Sequence, residues 1–296
     1  MTERLLTRRD FIRVAGATAG VAAAEFFALY AKPLRILPSG VAIPNINPSP
    51  EAVFQSNSPV ISAEPTTTPI PSKEPTVIVT PSPTSENAPM QELAKIKPGE
   101  VIYTADTHRK IICLTIDDGF SKANMKKIMN AANKRGVKIS FLPIGRVIAQ
   151  DPGLYMEIID SGHEIGNHTQ HHSDLTRLSI PEIKDEILRA RDALWKAAGR
   201  EIPQNLLRPP GGAFNKHTIQ AAAELGYGIL MWDVTSAGTS KYATVKSIEK
   251  RVESGLHNGA IILQHPTPYD TAAFPAILDY ALSEGFKPQT VSEGLK

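Results

Sequence analysis

From about residue 96 onward, short apolar runs alternate with longer amphipathic stretches. The runs fall at 111–116, 138–142, 163–165, 206–208, 228–232, 260–263 and 286–291, and predict seven strands. The stretches at about 122–135, 153–161, 180–198, 215–225, 244–256 and 271–284 carry the spacing of helices with one apolar face. Ile111-Ile112-Cys113-Leu114 and Ala260-Ile261-Ile262-Leu263 lack any polar alternation, which suits strands buried on both faces of a parallel sheet. Strand–helix alternation predicts a βα-repeating fold, either a barrel or a doubly wound sheet. About 200 residues suffice to bury roughly 70% of the unfolded surface.

The pattern is different before residue 96. Residues 1–32 hold Arg8-Arg9-Asp10-Phe11-Ile12 followed by a weakly apolar, Ala- and Gly-rich stretch that contains Glu25. A basic start before a short apolar run reads as an export signal, and the paired arginines resemble a twin-arginine signal. The stretch is a poor permanent membrane span. No convincing small-x-small cleavage site follows it, so an uncleaved anchor stays open. Residues 33–95 hold thirteen of the 24 prolines, mixed with Ser and Thr. Such a segment buries too little apolar surface to offset its ordering entropy, and is expected to be a disordered linker. At about 3.1 Å per residue its reach is on the order of 190 Å, enough to cross a cell-envelope layer. The expected organisation is signal, linker, and a catalytic domain over 96–296, outside the cytoplasm.

Composition narrows the chemistry by exclusion. A net charge of +2 over 296 residues, with no Lys/Arg cluster, gives no sign of a nucleic-acid partner. The hydrophobic share of 42% excludes a collagenous or mostly disordered chain. The single cysteine, Cys113, excludes an internal disulfide and a cysteine zinc cage. Any metal must be held by His, Asp or Glu. Nothing points to an oligomer, so a monomer is expected.

In βα folds ligands bind at the C-terminal ends of the strands. The residues that follow the predicted strands are Asp117-Asp118-Gly119, His168-Thr169-Gln170-His171-His172, Arg208-Pro209-Pro210-Gly211-Gly212, Asp233 and His265. Singly, each has an ordinary reading: a turn, a polar loop, a solvated arginine, a rim histidine. Their convergence on one rim is the stronger observation. Adjacent Asp117 and Asp118 on an extended strand end point in different directions, one toward a metal and one toward a reacting atom. Histidines four apart can share one ion, although His168 could instead pair with His171. Two His and one Asp suit zinc with a position left for water; Co²⁺, Ni²⁺ or Mn²⁺ could also be accepted.

Taken in order, these segments resemble the polysaccharide deacetylases, also called the NodB homology domain or carbohydrate esterase family 4. Thr115-Ile116-Asp117-Asp118-Gly119 is similar to the family's first motif, and His168 to His172 to its His-Thr-x-x-His motif. Arg208 to Gly212 is similar to the third motif, and Leu263-Gln264-His265 to the fifth. The resemblance covers about residues 100–296. It implies a distorted (β/α)7 barrel, with Asp118, His168 and His172 as the metal ligands. It also implies Asp117 as general base, Arg208 as the residue that orients it, His265 as general acid, and the Gly211 backbone N–H as a donor to the acyl oxygen.

Two departures stand out. Gly211 replaces a usual Tyr of the third motif, removing an aromatic wall. The fourth motif, usually Asp-x-x-Asp-Trp, has Thr235, Gly238 and Thr239 at those positions, so the acid that supports the family's acid histidine is missing. Asp233 either substitutes from a shifted position or is structural.

The function these readings imply is metal-dependent removal of N-acetyl groups from an N-acetylglucosamine-type glycan. Peptidoglycan is the first expectation, followed by chitin-like oligomers or an exopolysaccharide. The alternatives are a zinc-containing glycan-binding module with little catalysis and an O-acetyl xylan esterase.

Overall fold

The computed structural model describes residues 93–296. The expected export signal, and all of the linker except 93–95, lie outside the described residues. Ala94, just before the expected domain start, is already buried and is held by Asn205 through both backbone groups. No helix among the described residues is long and apolar enough to cross a membrane.

The strands are β1 (Val101–Ile102), β2 (Ile111–Asp118), β3 (Ser140–Pro143), β4 (Glu164–Ile165), β5 (Leu206–Leu207), β6 (Gly228–Leu230), β7 (Val234–Thr235), β8 (Ala260–Gln264) and β9 (Lys287–Gln289). The helices are α1 (Lys122–Lys134), α2 (Gly145–Gln150), α3 (Pro152–Asp160), α4 (Ile180–Ala198), α5 (Lys216–Glu224), α6 (Val245–Gly255), α7 (Pro268–Ser283) and α8 (Val291–Gly294). All seven predicted strands and all six predicted helices are present. The two-residue β1 and β7 and the short α2 and α8 had too few residues to show a period.

Every strand pairing is parallel. One sheet runs β4-β3-β2-β8-β7 with β9 against β2, and the other runs β1-β6-β5. A bridge between Asn167 and Leu207 joins them. The chain from Gly228 to Thr235 pairs first with β5 and β1 and then with β8, so the ring is a distorted (β/α)7 barrel.

The two-residue period of a strand sorts the core into layers. Ile112, Leu114 and Ile116 of β2 pack outward with residues of α1, α3 and α7. Ile111 and Cys113 point inward, with Leu142, Leu206, Leu230 and Ile261. The next inward positions, Thr115 and Asp117, carry that inner line up to the C-terminal rim.

Beneath the rim, Glu164 is fully buried and accepts hydrogen bonds from Ser140 Oγ, both Ser292 groups and the Val291 N–H, tying β4 to the start of α8. Neighbouring His163 is buried against the edge of Phe141, and its Nδ1 accepts from the Ile139 N–H at 3.2 Å. Burial, and then the Lys138 charge, push this imidazole down to about 4. Its folded value lies below its unfolded value, so its contribution to stability is present above about pH 6.5 and is lost as pH falls toward 4. Between pH 7 and 4.5 this amounts to about 2 kcal/mol. Denaturant melts of wild type and His163→Gln should show that share of the acid-side loss disappearing in the variant.

Candidate active site

Thr115 and Asp117 sit two apart on the inner face of β2, and both reach Arg208. Arg208 Nη1 donates to Asp117 Oδ1 and to Thr115 Oγ1, each at 2.7 Å. Its Nη2 donates to the Met231 carbonyl at 2.9 Å and its Nε to the Leu230 carbonyl at 3.3 Å. The guanidinium is fully buried, and the Trp232 ring lies 5.6 Å from it. A buried charge is tolerable only when paired and hydrogen-bonded in this way. The expected pairing of Arg208 with a carboxylate is therefore present, and the carboxylate is Asp117.

Asp118 corrects one expectation. Strand alternation would send it away from Asp117, but its φ is 66°, in the left-handed region that Asp tolerates better than most residues. Both carboxylates consequently converge on His168, whose Nε2 lies 3.4 Å from Asp118 Oδ1 and 3.8 Å from Asp117 Oδ2. His172 Nε2 is also 3.4 Å from Asp118 Oδ1.

The histidines come from the irregular segment after β4, shaped by left-handed Thr169 (φ 62°) and His172 (φ 64°). The Thr169 hydroxyl caps the His172 N–H at 3.2 Å, and Asn167 holds the Thr169 N–H at 2.9 Å. His168 Nδ1–H donates to the Arg208 carbonyl at 2.8 Å, which leaves Nε2 turned toward Asp118. His171 is directed elsewhere. Its Nδ1 meets Glu186 Oε1 at 2.6 Å and its N–H meets Oε2 at 2.9 Å. Of the two pairings left open by spacing, the structure brings His172 rather than His171 to His168 and Asp118. Gly145 is required nearby, because a Cβ there would overlap the Gln170 side chain and come within 2.7 Å of Ala190.

Asp118, His168 and His172 each offer one atom within 4.8 Å of the others. Asp118 Oδ1 is buried and makes no hydrogen bond. One carboxylate oxygen without a partner, facing two imidazole nitrogens, fits a divalent ion with mixed nitrogen and oxygen ligands. Burial pushes the Asp118 carboxyl up, but the three nearby imidazoles outweigh it and hold the group well below the usual carboxylate range. Burial pulls His168 down, and Asp117 and Asp118 outweigh it in the other direction. His172 is pushed down to about 4 by burial and by His168. Asp118 and His172 are thus biased to the anionic and neutral forms that metal binding would require, whereas His168 is shifted the other way, which a bound cation would oppose.

His265 follows β8 and reaches the cluster, its Nε2 3.9 Å from Asp118 Oδ2. Gly211 is exposed at φ 62° in a tight turn, and its absent side chain would meet open space. Trp232 packs on neighbouring Gly212 instead, where a Cβ would come within 2.7 Å of the indole.

Asp233 does not join the rim. Its Oδ1 accepts from the Ile261 N–H at 2.9 Å and its Oδ2 lies 2.7 Å from His257 Nε2. Both partners lie near the start of β8, the opposite end from His265, so Asp233 is structural. The residue missed in the sequence is Asp270, on the first turn of α7. It is fully buried, and its Oδ2 accepts the His265 N–H at 3.2 Å. Burial pushes its carboxyl up, against the hydrogen bonds from Ser236 and His265 and the adjacent His265 ring. An acid five residues past His265, behind Thr267-Pro268, was the available signal.

The polysaccharide deacetylase family model matches residues 104–230. The peptidoglycan-N-acetylglucosamine deacetylase PgdA of Listeria monocytogenes is 34% identical over 185 residues, 62% of this chain and 38% of that protein. The chain thus spans well under half the length of that relative. A family 4 carbohydrate esterase from Streptomyces lividans, solved with acetate, is 30% identical with a TM-score of 0.56, covering 60% of this chain and 91% of that one. A family 4 pseudoenzyme from Bacillus anthracis is 26% identical with a TM-score of 0.64, covering 68% and 70%. The chain belongs to the polysaccharide deacetylases, carbohydrate esterase family 4.

Two outcomes follow from this geometry. Calorimetric titration of the metal-free chain with Zn²⁺ should show one site. His168→Ala and His172→Ala should weaken it by more than ~100-fold, beyond the usual range for loss of an outer partner, while His171→Ala leaves it unchanged. Arg208→Ala, which strands the Asp117 charge in the core, should lower unfolding free energy by about 3–5 kcal/mol in denaturant melts.

Proposed function

We propose that this chain is a metal-dependent hydrolase that removes N-acetyl groups from N-acetylglucosamine-type glycan, peptidoglycan first, and releases acetate. The observation that carries the reading is Asp117, fixed by buried Arg208, beside a cluster of three candidate ligands that His265 also approaches, its Nε2 3.9 Å from Asp118 Oδ2. The similarity to a relative named as a peptidoglycan deacetylase supports the choice of glycan. Exposed Phe120 and Tyr269, which follow Asp118 and His265 along the chain, suit stacking against sugar faces.

Zinc or another divalent ion held by Asp118, His168 and His172 supplies a Lewis acid and an acidified water. Asp117 accepts the proton of the attacking water, and Arg208 keeps its carboxylate aimed and ionised. The Gly211 N–H donates to the acyl oxygen as negative charge develops. His265 protonates the amine as the C–N bond breaks, leaving acetate and a free amino sugar. The paired arginines at Arg8-Arg9 and the Pro-rich stretch support an exported domain, tethered or released, that works in the cell envelope. The chain acts as a monomer in this reading.

A second reading, a glycan-binding module with little catalysis, is favoured by the similarity to a family 4 pseudoenzyme and by Gly238 in place of the fourth-motif acid.

Acetate release from N-acetylglucosamine oligomers and from purified peptidoglycan, measured with the metal-loaded full chain, separates the readings. Release that needs metal and falls ~10²–10⁴-fold in Asp117→Asn is the expected result. Glycan retained without acetate release would establish the binding module. Acetate released only from O-acetylated xylan would establish the esterase.

A further inference from the structure

Asp270 is the third residue of α7, where an acid ordinarily serves the helix start. That duty is already filled. Thr267 is the cap, its hydroxyl accepting the Asp270 N–H at 3.0 Å. The Thr267 N–H, which a capping box would offer to residue 270, goes instead to the His265 carbonyl at 2.8 Å. The Asp270 carboxylate reaches back past the helix. Its Oδ2 accepts from the His265 N–H at 3.2 Å and the Thr267 hydroxyl at 3.3 Å, and its Oδ1 from Gln264 Nε2 at 3.4 Å. Apart from Ser236, its partners therefore lie on the strand end and turn that carry His265.

A second observation comes from the loop after β7. Gly238 is buried, and a Cβ there would land on the Asp270 carboxyl group, overlapping all three of its atoms. The backbone of Gly238 lies outside the left-handed region, unlike that of its neighbour Ala237 at φ 53°. Conformation therefore does not demand glycine at 238. Space demands it, and the carboxylate of Asp270 takes that space. Ser236, two residues earlier, closes the same pocket, its N–H bound to the Leu263 carbonyl at 3.0 Å and its hydroxyl accepting the Gly238 N–H at 3.1 Å.

We propose that Asp270 is the positioning residue for His265, and that Gly238 is glycine because the Asp270 carboxylate occupies its side-chain volume. The carboxylate that the sequence lacks after β7 is thus delivered from α7 into the space beside residue 238. The catalytic consequence rests on the deacetylase reading; the structural tie between Asp270 and His265 does not.

Three variants of the full chain test this: Asp270→Ala, Gly238→Asp, and the double variant that moves the carboxylate to the other element. Each is read by steady-state acetate release and, independently of turnover, by the imidazole ¹⁵N–¹H spectrum of His265. Asp270→Ala should lower kcat ~10–100-fold, the range for loss of an outer hydrogen-bond partner, with KM within about twofold. Gly238→Asp alone should also be impaired, because two carboxyl groups compete for one volume. The double variant should recover at least ~10-fold of kcat over Asp270→Ala and return the His265 signals toward their wild-type positions. A merely structural role for Asp270 at the helix start predicts no such recovery, since residue 238 lies outside α7. If Asp270→Ala fails to fold, a folded and active double variant still supports the proposal. A double variant that folds and binds metal, yet recovers neither kcat nor the His265 signals, overturns it. Should wild type release no acetate, the deacetylase reading fails on its own, and the His265 spectra alone decide whether Asp270 holds that ring.

Discussion

The buried Arg208–Asp117 pair is the constraint on which the site depends. Arg208 has no accessible surface, so every donor it uses must find an acceptor inside the barrel. Those acceptors come from β2, from β6 and from the residue after it. The same residue's carbonyl orients His168. One residue therefore aims the carboxylate with its side chain and an imidazole of the candidate metal cluster with its main chain. The two Pro residues that follow hold its backbone extended, and the bridge from Asn167 to Leu207 holds the strand beneath it.

The barrel makes this constraint affordable. A guanidinium at the same depth in an antiparallel sandwich would face apolar side chains from the opposite sheet. Here the parallel strands end together, and their last carbonyls and inward polar side chains meet at one rim. The apolar layers below, from Ile111 to Ile261 inside and Ile112 to Ile116 outside, exclude water from the lower barrel and leave the polar residues gathered at the top.

Much of this was legible in the sequence because it follows local rules. The double-buried strands β2 and β8 announced themselves as unbroken apolar runs, and the long helices by their period. The candidate ligands Asp118, His168 and His172 follow strand ends in a fixed order. Three things were not legible. The convergence of Asp117 and Asp118 depends on a left-handed backbone at Asp118, which spacing does not encode. The direction of His171 depends on Glu186, supplied by a helix that begins nine residues further on. The role of Asp233 could not be separated from that of Asp270, because which acid reaches the His265 turn depends on which end of β8 it meets. Such placements are tertiary and appear only when the barrel closes.

The left-handed residues have a consequence for how this chain can change. Asp118 and His172, two of the three candidate metal-ligating positions, and Thr169 all hold a conformation that costs non-glycine residues roughly 1–3 kcal/mol each. Replacing His172 by glycine would remove a ligand and release that strain in one step. Stability and chemistry therefore pull in opposite directions at the same positions. The rest of the site behaves differently: glycine at a left-handed position would relax the backbone while dismantling the cluster, whereas loss of Asp117 would leave the buried Arg208 charge without its partner.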